Sequence, residues 1–399
     1  MAASSSLVQP LSKRIQRIEV SATRVVAAEA ERLQAAGADI VDFGAGDPHL
    51  ATPQHIKDAA IAALGANFTK YTAAGGIAEL REAIVQRHAA DFGSDYKPAE
   101  CVAVSGGKHA LFGAFQVLLE HGDEVIIPVP YWTSFKDMIC FSGGVPVFVY
   151  PPEEKGFELT ADMVERVITP RTKIILVNSP NNPSGAVYDP EDLRAIVKMA
   201  ARHNLIVISD ECYGYLDFTG RHFSLGSLRE YRDRLLIVGS LSKTYSMTGW
   251  RLGFGLGPEW LVSAIIKLQS QSTTHPTSIV QKAGVAALTG PQDCVREIQQ
   301  EYTRLRDHIT AGLRSIPGIT CVEPQGAFYI YPNISAFLNK GGKKITAAEL
   351  AGRMLREAGV AVVPGEAFGT TDHVRISFPA PIATLDKGLD RTRKFFANF

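Results

Sequence analysis

The stretch "SLSKTYSMTGWRLGFGLG" (240–257) sets Lys243 among the hydroxyls of Ser240, Ser242, Thr244 and Tyr245, with Arg251 eight positions further on. A lysine that serves as a charge needs only water around it, whereas one that acts as a nucleophile must spend time as a neutral amine and needs controlled neighbours. Three other clusters have the same character. "SGGKHAL" offers Gly106 and Gly107 for a tight turn and Lys108 to open a helix, a geometry whose free N–H groups favour an anion. "SPNNPSG" holds Asn181 and Asn182 between prolines that stiffen the backbone and present an amide in one orientation. "SDECYGY" puts Asp210 at the end of an apolar run, where a carboxylate is costly without a cation or donor, and Tyr213 three residues later. Each cluster also has a plainer structural reading: a solvated loop lysine, a strand-to-helix turn, an Asn-Pro turn, a helix-capping aspartate. Which reading holds depends on whether the clusters meet.

The elements that must position them are readable as patterns. From about residue 100 to 260, seven short apolar runs, "CVAVS", "EVIIPV", "VPVFVY", "TKIILVN", "NLIVISD", "RLLIVGS" and "LGFGLG", alternate with helical patterns. That alternation predicts an α/β fold with a mostly parallel sheet of seven strands and helices on both faces. Every cluster above then follows a strand, where ligand sites of open α/β sheets lie. Residues 46–290 are expected to form this large, cofactor-binding domain. Residues 291–399 read as a smaller α+β domain, with long charged helices around "AFYIYP", "VAVVPG" and "HVRISF". The first 45 residues contain one helical pattern, "TRVVAAEAERLQAAG", expected to pack with that smaller domain.

Lys plus Arg and Asp plus Glu both total 41, so the formal net charge is zero, and no basic block is present to grip a phosphate backbone. Nucleic acid is not an expected partner. No apolar run reaches the length of a membrane span and the N-terminus lacks an apolar signal core, so no membrane association and a cytoplasmic address are expected. Five scattered cysteines without a CxxC pair indicate neither a disulfide framework nor a zinc site, and no metal is expected. Cys212, inside "SDECYGY", reads as a structural thiol beside functional neighbours.

An anion loop, an amide, a carboxylate with a nearby phenol, an amine and an arginine match the parts of pyridoxal 5′-phosphate (PLP), which carries a phosphate, a phenolic oxygen, a ring nitrogen and an aldehyde. The chain resembles the class I, fold-type I, PLP-dependent aminotransferases over essentially its whole length, through "YTAAGGIAELREAI", "SPNNPSG", "SDECY", "SLSKTYSMTGWRLG" and "HVRISF" in that order. Within the family it is most similar to the bacterial aspartate aminotransferase branch, by "SATR", "SGGKHALF" and "PYW". The resemblance implies that Lys243 binds the cofactor aldehyde and moves the substrate's proton, that Asp210 keeps the ring nitrogen protonated, and that Tyr213 and Asn182 bond the phenolic oxygen. It further implies a phosphate held by Gly106, Gly107, Lys108, Ser240, Ser242 and Arg251, and a ring stacked on Trp132. Tyr71 would reach the phosphate of a second subunit, which implies a homodimer with shared sites.

For the substrates, an amino acid and a 2-oxo acid, the resemblance places the α-carboxylate on Arg375, with Asn182, Trp132 and the backbone of Gly46 beside it. A distal carboxylate would meet Lys108, Ser21 and Thr23, so the expected reaction moves the amino group of L-aspartate to 2-oxoglutarate. Transamination of prephenate, or of aromatic amino acids and alanine, is the alternative; a carbon–sulfur lyase or decarboxylase on the same scaffold is the more distant one. "GDPHLATP" departs from the branch's usual "GEPDFDTP" at the site entrance.

Overall fold

The computed structural model describes residues 11–340 and 343–399. The first ten residues of the N-terminal segment lie outside it. All seven apolar runs are strands of one sheet: β1 (Cys101–Val104), β2 (Glu124–Pro128), β3 (Val145–Val149), β4 (Thr172–Asn178), β5 (Ile206–Asp210), β6 (Leu235–Ser240) and β7 (Gly253–Leu256). Their spatial order is β1-β7-β6-β5-β4-β2-β3, parallel throughout except for β7, which runs against both neighbours. The runs are continuous rather than alternating because both faces are covered. Val102, Val125, Leu176, Ile208 and Val238 enter one core, while their chain neighbours Ala103, Ile126, Val177, Val207 and Ile237 enter the other.

The smaller unit is built on a 22-residue helix, Asp293–Arg314, whose buried residues Val295, Ile298, Tyr302, Leu305, Ile309 and Leu313 recur every three or four positions. That spacing makes one apolar stripe, each large side chain contributing about 2 kcal/mol on burial. It packs with a three-stranded antiparallel sheet of β8 (Tyr329–Ile330), β9 (Val363–Pro364) and β10 (Val374–Ser377), in the order β9-β10-β8. The strand Val41–Asp42 pairs in parallel with Val360–Ala361, and the helix Ala22–Ala35 rests on the same region through Ala30. Tyr213 and Leu216, just beyond β5, belong to the core of this smaller unit. The carboxyl ends of the large sheet therefore face β8 and β10 across a shared seam.

Candidate active site

A cavity of about 240 Å³ opens at that seam. It is walled by Gly107 and Lys108 after β1, Asn178 and Asn182 at the end of β4, Asp210, Cys212 and Tyr213 after β5, and Ser240, Ser242, Lys243, Thr248 and Arg251 after β6, with Trp132 on its side. The separate clusters of the sequence do meet.

Gly106 has φ +85°, and a Cβ there would stand 2.4 Å from Arg251 Nη2, so the turn into the helix Gly107–Leu118 admits only glycine beside the guanidinium. Gly107 is equally confined: a Cβ would meet Cys212 Sγ at 2.8 Å. The first N–H groups of that helix have no acceptor within it and point where an anion is favoured. Ser240 caps the short helix Leu241–Thr244 by accepting from Ser242 N at 3.1 Å. Arg251, at φ +57°, is anchored by donating to Thr248 O at 2.9 Å.

Lys243 lies partly buried on the cavity wall and donates to Gly46 O. Enclosure by protein depresses its ammonium from 10.5 to about 8, with nearby Asp47 opposing the shift. Asp210 is buried, and lack of solvation raises its carboxyl from 3.8 to about 6, although Cys212 N donates to Oδ1 at 3.1 Å. The Tyr213 hydroxyl lies 2.8 Å from that of Tyr329, and burial pushes it well above the ordinary phenol range.

Arg375, on β10, is 2% exposed and pairs with no carboxylate among the described residues. It donates to Asn182 Oδ1 at 3.1 Å and to Gly44 O at 2.7 Å, while its buried Nε has no acceptor. The guanidinium lies over the ring of Tyr329, 4.4 Å from the centroid. Lys108 Nζ stands 4.8 Å from the Trp132 ring, and burial and Arg251 lower its ammonium from the usual value.

Three expected contributors are elsewhere in this chain. Tyr71 is 88% exposed, outside the cavity, against His275. Ser21 and Thr23 bond each other at 2.7 Å at the start of their helix and do not line the cavity. Gly46, by contrast, stays with the site: its carbonyl accepts from Lys243 Nζ. Sequence reasoning passed over three others. Asn178 donates to Asp210 O at 3.0 Å and accepts from Asn182 N at 3.0 Å, so one amide ties the carboxylate's strand to the proline-flanked loop. Thr248 donates to Asp47 Oδ1, and Tyr329 lies under Arg375. For Asn178 the usable signal was its place as the last residue of an apolar run, immediately before "SPNNPSG".

Comparison with known proteins agrees with this architecture. The family model "Aminotransferase class I and II" matches residues 38–391. The chain is 43% identical to an aspartate aminotransferase of Geobacillus stearothermophilus, over 96% of this chain and 98% of the relative. It is 42% identical to an aspartate/prephenate aminotransferase of Cereibacter sphaeroides, over 97% and 98%. The solved structure of aspartate aminotransferase from Thermus thermophilus with maleate superposes with a TM-score of 0.92 at 41% identity, covering 97% of this chain and 99% of the other. A match that spans both units and the seam between them, where the strand-end clusters converge, makes this chain a member of the class I and II aminotransferase family.

Proposed function

We propose that this enzyme moves the amino group of L-aspartate to 2-oxoglutarate. The observation that carries the reading is Arg375: a guanidinium taken out of water without an anion is strongly unfavourable, so its site is complete only when a ligand carboxylate joins it. Lys108 lines the cavity together with Asn182, the partner of Arg375, and supplies the second cation that a dicarboxylate requires.

The family's cofactor is PLP, and the residues present fit it. Asp210, enclosed and lacking a cation, suits a protonated ring nitrogen; Gly106 and Gly107, where a Cβ would strike Arg251 and Cys212, bring the loop's backbone close against those side chains; Ser240, Ser242 and Arg251 border the same cavity as phosphate ligands. Bound there, the cofactor withdraws electrons from the amino acid's Cα and carries the amino group between the two half-reactions. Lys243, depressed to about 8, is neutral often enough near physiological pH to accept a proton at Nζ and return it as an acid. Tyr213 and Asn182 offer hydrogen bonds to the phenolic oxygen, and Trp132 offers a flat apolar face to the ring. Arg375 and Asn182, already joined, orient the α-carboxylate.

The working unit is read as a homodimer, supported by an outward Tyr71 that its own cavity does not use. Among the described residues no helix is long and apolar enough to cross a membrane, which accords with a cytoplasmic enzyme. A second reading, dual action on prephenate, is favoured by the relatives named aspartate/prephenate aminotransferase. Initial rates with aspartate, alanine and phenylalanine as amino donors to 2-oxoglutarate, and with prephenate as the acceptor from aspartate or glutamate, test both. Aspartate should give the highest kcat/KM; a preference for alanine, or release of carbon dioxide from aspartate in place of transamination, would overturn the proposal.

A further inference from the structure

The turn that carries Tyr71 is held more firmly than its exposure suggests. His275 Nδ1 lies 2.7 Å from Pro276 O, and a carbonyl only accepts, so Nδ1 carries the proton. Thr72 N–H donates to His275 Nε2 at 3.3 Å, so Nε2 carries the lone pair. These two bonds select one neutral tautomer of the ring. The same ring meets Tyr71 edge-on, with centroids 5.7 Å apart and planes at 88°.

Gln281, at 0% exposure in the helix Ser278–Thr289, spans the turn from inside. Its Nε2 donates to Thr72 Oγ1 at 2.9 Å and to Pro276 O at 2.7 Å, and its Oε1 accepts from Ile77 N at 2.7 Å. A buried amide with every one of these bonds made is a rigid strut. Tyr71 is thus an 88% exposed aromatic on an immobilised backbone, and the ordering needed for a contact outside the chain is already present.

We propose that His275 and Gln281 are positioning residues for Tyr71, holding it in the outward posture from which it meets the cofactor phosphate of a second copy of this chain. The inference rests on the homodimer reading above, and its test separates the two. Holoenzyme of the parent, Tyr71→Phe, His275→Ala, His275→Gln and the Y71F/H275A double variant is compared by the rate of PLP release, with dimer content followed by light scattering. His275→Ala should speed release on the order of 3- to 10-fold, the worth of one or two hydrogen bonds. His275→Gln, whose Oε1 falls near the position of Nε2, should recover most of that loss. In the Tyr71→Phe background His275→Ala should add nothing, because its effect runs through the phenol. Equal effects of His275→Ala with and without the Tyr71 hydroxyl would overturn the positioning role while leaving the dimer reading intact. Unchanged release from Tyr71→Phe itself would also overturn the positioning role, and a monomeric parent in light scattering would remove the homodimer reading with it. Should His275→Ala fail to fold, His275→Phe, which keeps the ring and loses the acceptor, carries the same comparison.

Discussion

Arg375 Nη1 donates to Asn182 Oδ1 at 3.1 Å, so a single bond joins the smaller unit's central strand to the proline-flanked loop at the end of β4. In the proposed reaction both groups receive the substrate's α-carboxylate. Arg375→Lys keeps a positive charge but loses the planar fork and the stack on Tyr329. The expected result is a fall of about 100-fold or more in kcat/KM for aspartate, with cofactor absorbance and its affinity unchanged. Parallel loss of cofactor binding would show that Arg375 supports the fold rather than the substrate.

Asp210 should make the cofactor-free protein less stable, not more. Its folded value of about 6 lies above the unfolded 3.8, so between those values the folded chain holds more protons than the unfolded one. Stability therefore declines as pH rises through that window, and the full deficit is present above it. Asp210→Asn keeps an Oδ1 for Cys212 N and removes the charge. Urea unfolding of the apoprotein at pH 8 should show the variant more stable, on the order of 3 kcal/mol from the size of the shift, with convergence near pH 4. In the holoprotein the order should reverse, since the cofactor's cation is then missing its partner. An apo variant less stable than the parent at pH 8 would refute the account.

Lys243 carries a kinetic prediction. In its proposed role the amine captures the cofactor only when neutral, so the rate of cofactor uptake by the apoprotein should rise with pH and level off above about 8. Asp47 holds the ammonium form up, and removing that charge as Asp47→Asn should move the midpoint to lower pH. Stopped-flow absorbance over pH 6 to 10 reads both, and a midpoint that stays in place or rises in the variant contradicts the arrangement.

Much of this was legible from the chain, for physical reasons that differ by residue. Most of the seven runs could be read as strands because they are buried on both faces and so lack polar interruption, as Val102 and Ala103 show by entering opposite cores; Val145–Val149, at the sheet edge, stays partly exposed. Asp210 and Lys243 stood out because an ionisable group at the end of a buried strand needs a reason. Tyr329 gave no such sign: an aromatic in "AFYIYP" is ordinary core, and its service to Arg375 arises only when β8 and β10 pair. The hydrogen bond between Ser21 and Thr23 was equally invisible, since residue types at a helix start do not say whether they face each other or a ligand.

In the proposed reaction Lys108 is the group that separates dicarboxylates from other substrates. Its ammonium stands over Trp132 at the cavity, and among the described residues it pairs with no carboxylate. Lys108→Met keeps the apolar stem and drops the charge, so aspartate should lose about 10- to 100-fold in kcat/KM while alanine changes little. Equal losses for both amino acids would place the lysine's role in holding the cofactor instead.

The strongest structural consequence belongs to Asn178, whose side chain uses both ends. Nδ2 donates to Asp210 O and Oδ1 accepts from Asn182 N, each at 3.0 Å, inside a buried setting. Asn178→Ala leaves a buried carbonyl and a buried N–H without partners, which costs about 1–3 kcal/mol each. Asn178→Asp keeps the acceptor for Asn182 N but turns the donor into a second carboxylate oxygen facing Asp210 O. The alanine variant should therefore lose about 2–6 kcal/mol in urea unfolding, and the aspartate variant should be destabilised further above the pH at which its new carboxyl ionises. Because Asp210 and Asn182 sit on the two elements that Asn178 ties together, cofactor affinity should fall in both variants while Lys243 still captures the aldehyde. Full cofactor affinity in a destabilised Asn178→Ala protein would mean that the tie serves the fold alone.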